Sequence, residues 1–204
     1  MSFLKAKAIV IYAPIKDADT SVPVHPVHRH IEIQGCKSDK TRLEKYLVWR
    51  LLEYTVKNYT TLDFANLQFA KTDGGKWVCP DFYFSLSHTD GLVCVALSDE
   101  PVGVDAEAVR AIRRELCARI LTEREMNALV SIPEEHQSEY LLEAWVRKES
   151  IFKKDGGTAL LPGSIEATEH TTALKRVTVG TREYLISVCH TRAENIEFNY
   201  VEEI

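Results

Sequence analysis

The sequence predicts an α+β chain made of two similar α/β subdomains, residues 1–100 and 101–204. Two observations carry that expectation. Each half combines one long helical pattern with several short apolar runs of strand character. The run Leu92-Val93-Cys94-Val95-Ala96-Leu97-Ser98 is also echoed by Leu185-Ile186-Ser187-Val188-Cys189-His190-Thr191, at the corresponding place in the second half.

In chain order, residues 5–12 (Lys-Ala-Lys-Ala-Ile-Val-Ile-Tyr) read as a first strand. Met1 to Ala13 lacks the small-residue cleavage pattern of a signal peptide. A loop containing Pro14, Pro23 and Pro26 follows and carries His25, His28 and His30. Metal binding there is one reading and a polar loop the other, since no cysteine or carboxylate stands at ligand spacing. From Lys40 to Asn58, Leu43, Tyr46, Leu47, Leu51 and Tyr54 recur at three- and four-residue intervals and predict a helix. Thr72-Asp73-Gly74-Gly75-Lys76 breaks regular structure. Strands are expected over 82–86 and 92–98 with Asp90-Gly91 as the hairpin turn, then a short one from Val102 to Asp105.

The second half opens on an arginine-rich segment, 108–119, that patterns as helix. Thr122 and Glu125 have the spacing of a capping box, so a new helix starts there. A longer one is expected from Gln137 to Lys154, ended by Gly156-Gly157. Strands near 174–179, 183–190 and 195–201 complete the chain.

Composition narrows the function classes. A net charge of −5 argues against a general nucleic-acid binder, which ordinarily needs a basic domain. No apolar run approaches the ~20 residues of a membrane span. Five cysteines, an odd number with no Cys-x-x-Cys pair, fit a reducing, cytoplasmic setting.

Three segments carry candidate chemistry. Trp145-Val146-Arg147-Lys148-Glu149-Ser150-Ile151-Phe152-Lys153 places Glu149 and Lys153 on one helical face. A carboxylate beside a fixed ammonium suits phosphate chemistry: the acid holds a metal or takes a proton while the lysine neutralises phosphoryl oxygens. The plain alternative is a surface ion pair worth roughly 0.2–0.5 kcal/mol. In Asp105-Ala106-Glu107, strand alternation points both carboxylates one way, an arrangement that attracts a hard divalent cation such as magnesium. The alternative is a solvated strand end. In Ser85-Leu86-Ser87-His88-Thr89, His88 can donate to a phosphate, helped by Ser87 or local amides. Alternatives are a structural histidine or a nucleophilic serine, though no Gly-x-Ser-x-Gly elbow surrounds the latter.

Taken in order, Gly75-Lys76-Trp77-Val78-Cys79-Pro80, Phe84-Ser85-Leu86-Ser87-His88, Gly103-Val104-Asp105-Ala106-Glu107 and Trp145 through Lys153 closely resemble the 4'-phosphopantetheinyl transferases, in particular the longer, pseudo-dimeric Sfp type. The likeness covers residues 74–157 and is thinner on either side. It implies that the two subdomains are arranged about a pseudo-twofold. It also implies a holo-[acyl-carrier-protein] synthase type enzyme that moves 4'-phosphopantetheine from coenzyme A to a serine of an acyl or peptidyl carrier protein, releasing adenosine 3',5'-bisphosphate. By the same resemblance Asp105, Glu107 and Glu149 would hold magnesium, and Glu149 is the position of the base for the attacking hydroxyl. With Asp105 and Glu149, Lys153 completes the catalytic group and meets the pyrophosphate. His88 with Ser87 falls near the 3'-phosphate, and Lys76 at the nucleotide end. Lys37, Lys40 and Arg42 are candidates for further 3'-phosphate contacts.

Arg113 and Arg114, in the run from Arg110 to Arg119, are expected to contact an acidic carrier protein; a solvated helix face is the alternative. Trp145 is expected to pack and so hold the helix that presents Glu149. Lys148 is expected to reach either a phosphate or solvent. A monomer with no nucleic-acid or membrane partner is implied. The rival readings are a non-catalytic module binding coenzyme A or carrier protein on the same fold, and a magnesium-dependent phosphodiesterase.

Overall fold

The computed structural model describes residues 8–192 and 195–204. β1 (Ala8–Pro14) lies where the first strand was expected; residues 5–7 of that expectation, and Met1 to Lys7 of the leader reading, lie outside the described residues. β1 pairs antiparallel with β5 (Leu92–Ser98), which pairs with its hairpin partner β4 (Tyr83–Thr89) through the Asp90-Gly91 turn. All seven residues of β5 are buried, because the sheet is covered on both faces. Alternation then sorts its side chains into two cores. Val93, Val95 and Leu97 pack with Ile9, Ile11 and the helix stripe Tyr46, Leu47 and Leu51. Leu92, Cys94 and Ala96 face the other way, toward Val104, Ala106, Ile186 and Val188 of a second sheet.

That helix is α2 (Asp39–Tyr59), one residue longer at each end than expected, with the Ser38 hydroxyl accepting from the Thr41 amide. Before it, the expected polar loop is partly a helix, α1 (Val27–Gln34). Its pattern is inverted: Val27 and Ile31 are exposed while Arg29 and Ile33 are buried, so periodicity could not reveal it. Pro26 sits at its N-cap, where a proline is compatible with helix. The three histidines are not gathered: the His25 Nε2 meets the Leu67 carbonyl at 2.8 Å and His28 stacks on Trp77. The Thr72–Lys76 stretch forms a tight turn between two-residue strands β2 (Ala70–Lys71) and β3 (Trp77–Val78).

The second half repeats the plan. β6 (Gly103–Ala108), β8 (Arg182–Cys189) and β7 (Thr172–Val179) form a three-stranded antiparallel sheet in the order β6-β8-β7, matching β1-β5-β4. The sequence echo falls on β5 and β8, the central strand of each motif. Among the described residues the layers run α2, first sheet, second sheet, and the long helix α5 (Glu134–Asp155), whose Leu142 and Val146 pack on Leu185. α5 ends at Gly156 with φ 72°, as its glycines predicted. One strand crosses the expected boundary at residue 100: β9 (Ile196–Tyr200) leaves the second half and pairs parallel with β1.

The arginine-rich segment is not a helix over 108–119. Only a 3-10 turn at Arg114–Leu116 and the four-residue α3 (Cys117–Ile120) are helical. The preceding amides are taken elsewhere: Val109 N–H donates to the Glu183 carbonyl at 2.8 Å and Ile112 N–H to the Ser138 hydroxyl at 2.7 Å. α4 (Glu123–Leu129) does start with the Thr122–Glu125 capping box. All five cysteines are free thiols, and no helix among the described residues is long and apolar enough to cross a membrane.

The two halves meet along β4 and β6 by a side-chain seam. The amides of Val104, Ala106 and Ala108 donate to the hydroxyls of Ser85, Ser87 and Thr89 at 3.0, 3.1 and 3.4 Å. The alternating hydroxyls of β4 thus stand in for a backbone ladder and bring His88 and Asp105 onto neighbouring strands.

Candidate active site

β6 is pressed against α5. A Cβ on Gly103 would stand 1.9 Å from the Ser150 carbonyl oxygen and 2.4 Å from the Lys154 nitrogen, so only glycine permits the approach. The following residues then face the helix: Ala106 turns into the inter-sheet core, while Asp105 and Glu107 point toward α5, as alternation predicted. Asp105 Oδ1 accepts from Ser87 Oγ at 2.9 Å and from Lys153 Nζ at 2.7 Å, and Lys153 also donates to Ser87 Oγ at 3.1 Å. Asp105 is 5% exposed, and its Oδ2 is buried without a partner.

Glu107 Oε2 accepts from the Thr89 hydroxyl and Oε1 from the Trp145 indole, both at 3.3 Å. Burial raises its pKa, and Asp105 adds to the effect. The Glu149 carboxyl is pushed up to about 7, first by burial and then by the charges of Asp105 and Glu107, with Lys153 opposing. These three acids, expected to form one metal site, therefore feel one another. Among the described residues no three acidic, histidine or cysteine side chains are already closed into a metal-ligating group. The donor set nonetheless fits magnesium: hard carboxylate oxygens, one of them orphaned in the interior, in a spot where negative charge is costly.

Trp145 packs beside Leu141 and Ala144 as expected, but it does more than pack, since its N–H meets Glu107. Lys148 reaches neither phosphate nor solvent. It is fully buried, and its ammonium donates to the Ile120 and Pro162 carbonyls at 2.8 and 3.1 Å and to Glu125 Oε2. That bridge ties α5 to α4, to the end of α3 and to the turn at Pro162.

His88 lies on β4 one residue beyond Ser87, with Nδ1 3.4 Å from Glu44 Oε2 on α2. Its pKa is pushed down to about 4 by burial, then by the cations Lys153, Lys45 and Arg29, against Asp105. Cations from three helices thus act on it, although the group it touches is the Glu44 carboxylate. Arg29 stacks its guanidinium over Trp49 and Trp77 at 4.8 and 5.5 Å and pairs with Glu32 at 3.0 Å; Lys45 pairs with the same acid at 3.3 Å.

Sequence reasoning missed Arg29 and Lys45. A helix over Val27–Gln34 would have exposed the first, because it puts Arg29 and Ile33 on one inner face. Of the residues that were expected, Lys40 pairs with Asp90 at 3.0 Å and stands 3.9 Å from Glu44, the acid that meets His88, while Arg42 pairs with Asp39 and the Cys36 carbonyl.

Lys76 donates to the Lys153 and Lys154 carbonyls, capping the negative end of α5. Burial lowers its pKa. It borders a cavity of about 270 Å³ walled by Gly74, Trp77, Phe84, Phe152 and Gly157 and reaching Lys153. On the other side of α5, Arg110, Arg113, Leu116, Arg119 and Trp145 line a groove of about 430 Å³; Arg114 borders a neighbouring one with Met126 and Leu129.

A family model described as the 4'-phosphopantetheinyl transferase superfamily matches residues 101–200, the part that holds Asp105, Glu107, Glu149 and Lys153. The 4'-phosphopantetheinyl transferase Sfp of Bacillus subtilis (strain 168) is 31% identical over 83 residues, which are 41% of this chain and 37% of that protein. The 4'-phosphopantetheinyl transferase psf-1 of Bacillus pumilus is 36% identical over 77 residues, 38% and 33% respectively. The 4'-phosphopantetheinyl transferase AcpT of Escherichia coli (strain K12) is 31% identical over 117 residues, 56% and 53%. The matched stretch thus spans a third to about half of these relatives' own length. A buried acidic strand end pressed on a Glu–Lys helix, inside the stretch these comparisons cover, places the chain in the 4'-phosphopantetheinyl transferase superfamily, among relatives of the Sfp type.

Proposed function

We propose that this protein transfers the 4'-phosphopantetheine arm of coenzyme A to a serine of an apo acyl or peptidyl carrier protein, with magnesium held by Asp105, Glu107 and Glu149. The observation that carries this reading is the meeting of Ser87, Asp105, Glu149 and Lys153 from three separate elements, with an unpartnered carboxylate oxygen among them. Magnesium bound there would polarise the phosphoryl oxygens of the pyrophosphate.

The chain's own residues account for the rest. Lys153 neutralises pyrophosphate oxygens. Arg29 and Lys45, once released from Glu32, supply the positive charge that receives the 3'-phosphate, and the neutral ring of His88 donates to it. The cavity beside Lys76 takes the nucleotide. Lys40 and Arg42 would have to leave Asp90 and Asp39 to reach a phosphate. Glu149 would accept the serine proton through a carboxylate oxygen not given to the metal. The serine oxygen then bonds to the phosphorus next to pantetheine as that phosphorus releases its bridging oxygen. Adenosine 3',5'-bisphosphate departs with the electron pair, its charge met by Lys153. No covalent enzyme intermediate is needed, so positioning and electrostatics suffice. Arg113 and Arg114 meet the carrier beside the groove over Trp145. One chain carries every group invoked, so a monomer serves.

The test is to incubate apo carrier protein with coenzyme A, magnesium and this protein, then weigh the carrier. A gain of one phosphopantetheine arm, lost in Asp105→Ala, is expected. Binding without a gain would make the protein a coenzyme A or carrier-binding module. Cleavage of coenzyme A with no carrier present would make it a phosphodiesterase.

A further inference from the structure

Asp105 already has a cation. Its Oδ1, Ser87 Oγ and Lys153 Nζ form a closed triangle with sides of 2.9, 3.1 and 2.7 Å. The ammonium comes from the last turn of α5, with a side chain 27% exposed, so its head can leave along the cavity that also reaches Ser85 and Phe152. Glu107 and Glu149 stand on the same side of Asp105 and add negative charge to the spot. A divalent ion on Asp105, even one held through the unpartnered Oδ2, would stand within a few ångströms of the ammonium on Oδ1, and two cations that close on one carboxylate repel strongly. Lysine is suited to such an exchange, being a compact charge on a four-carbon stem.

We propose that Lys153 is the resident counter-ion of Asp105 in the ligand-free protein. It competes with a divalent cation there, and the donor's pyrophosphate draws it off. Metal and donor then bind cooperatively: each vacates or neutralises what blocks the other, and the coupling is reciprocal. This rests on the metal site of the proposed function, and goes beyond it by giving Lys153 a role before any substrate arrives.

The test is manganese titration by calorimetry without donor, on wild type, Lys153→Met, Lys153→Arg and Asp105→Asn, followed by the same titrations with coenzyme A and no carrier. Lys153→Met is expected to bind manganese at least tenfold more tightly than wild type, Lys153→Arg about as weakly as wild type, and Asp105→Asn more weakly still. Coenzyme A is expected to tighten manganese binding tenfold or more in wild type and to do little in Lys153→Met.

Equal or weaker binding by Lys153→Met overturns the counter-ion role, while loss in Asp105→Asn would still uphold the metal site. Wild-type affinity in Asp105→Asn would remove the metal site and the counter-ion role together. Should Lys153→Met fail to fold, the wild-type titrations decide: no coupling between coenzyme A and manganese overturns the proposal.

Discussion

The indole N–H of Trp145 donates to Glu107 Oε1 at 3.3 Å, so the first residue of the helical motif is joined directly to the last acid of the strand motif. Two segments 38 residues apart in sequence are thereby held in register at the site where both present carboxylates. Trp145→Phe keeps most of the packing and deletes this bond. A hydrogen bond to a charged group is worth about 1.5–3 kcal/mol, so transfer should fall about tenfold or more in kcat. The melting temperature should move by only a few degrees. Steady-state kinetics beside a thermal melt checks both, and a variant with normal kcat would show that the ring alone matters.

Glu149 ties stability to pH. Its folded carboxyl lies near 7, above the ordinary value of 4.5, because burial and two acidic neighbours disfavour the anion. A raised acid pKa means that the native state holds a proton that the unfolded chain has lost between those values. The ligand-free protein should therefore lose stability as pH rises from about 4.5 to 7. The residue is partly exposed, so the loss is on the order of 1 kcal/mol after solvent screening. Glu149→Gln should flatten that slope and be more stable than wild type at pH 8. Urea denaturation at pH 5 and pH 8 measures it.

Lys148 should prove a stability residue. Lys148→Met leaves Glu125 and the Ile120 and Pro162 carbonyls without their buried ammonium, and breaking such a pair costs about 3–5 kcal/mol. Lys148→Met combined with Glu125→Gln should recover part of the loss, because no uncompensated charge remains. Chemical denaturation of the two variants reads the difference. If the single variant unfolds at the wild-type midpoint, the bridge has no such role.

Arg113→Glu with Arg114→Glu should raise the KM for carrier protein tenfold or more and leave the KM for coenzyme A unchanged. Arg113 lines the groove over Trp145 and Arg114 the neighbouring one, and neither Asp105 nor Lys153 borders either. Kinetics with each substrate varied in turn tests this, and unchanged carrier KM rules the pair out as a docking contact.

Much of the local structure was legible before any coordinates. α2, α5 and the β4–β5 hairpin follow from apolar spacing, a glycine stop and an Asp-Gly turn, all of which act over a few residues. α1 was not legible, because its buried Arg29 is held by two tryptophans from elsewhere in the chain and its exposed apolar residues mimic a core face. The helix expected after β6 fails for a related reason. Its amides are claimed by Glu183 and Ser138, acceptors 74 and 26 residues away, which local propensity cannot anticipate.

The same division holds for the site. The sequence by itself determined which side chains could do the chemistry and which face each occupies: Asp105 and Glu107 by strand alternation, Glu149 and Lys153 by helical spacing. Only the tertiary structure decided which charges meet. It paired Lys153 with Asp105, buried Lys148 against Glu125, set Trp145 on Glu107, and brought the charges of Arg29 and Lys45 to bear on His88. The reason is physical. Periodicity is a property of one segment, whereas the energy of a charge depends on how deeply it is buried and on the charges other segments bring within a few ångströms of it.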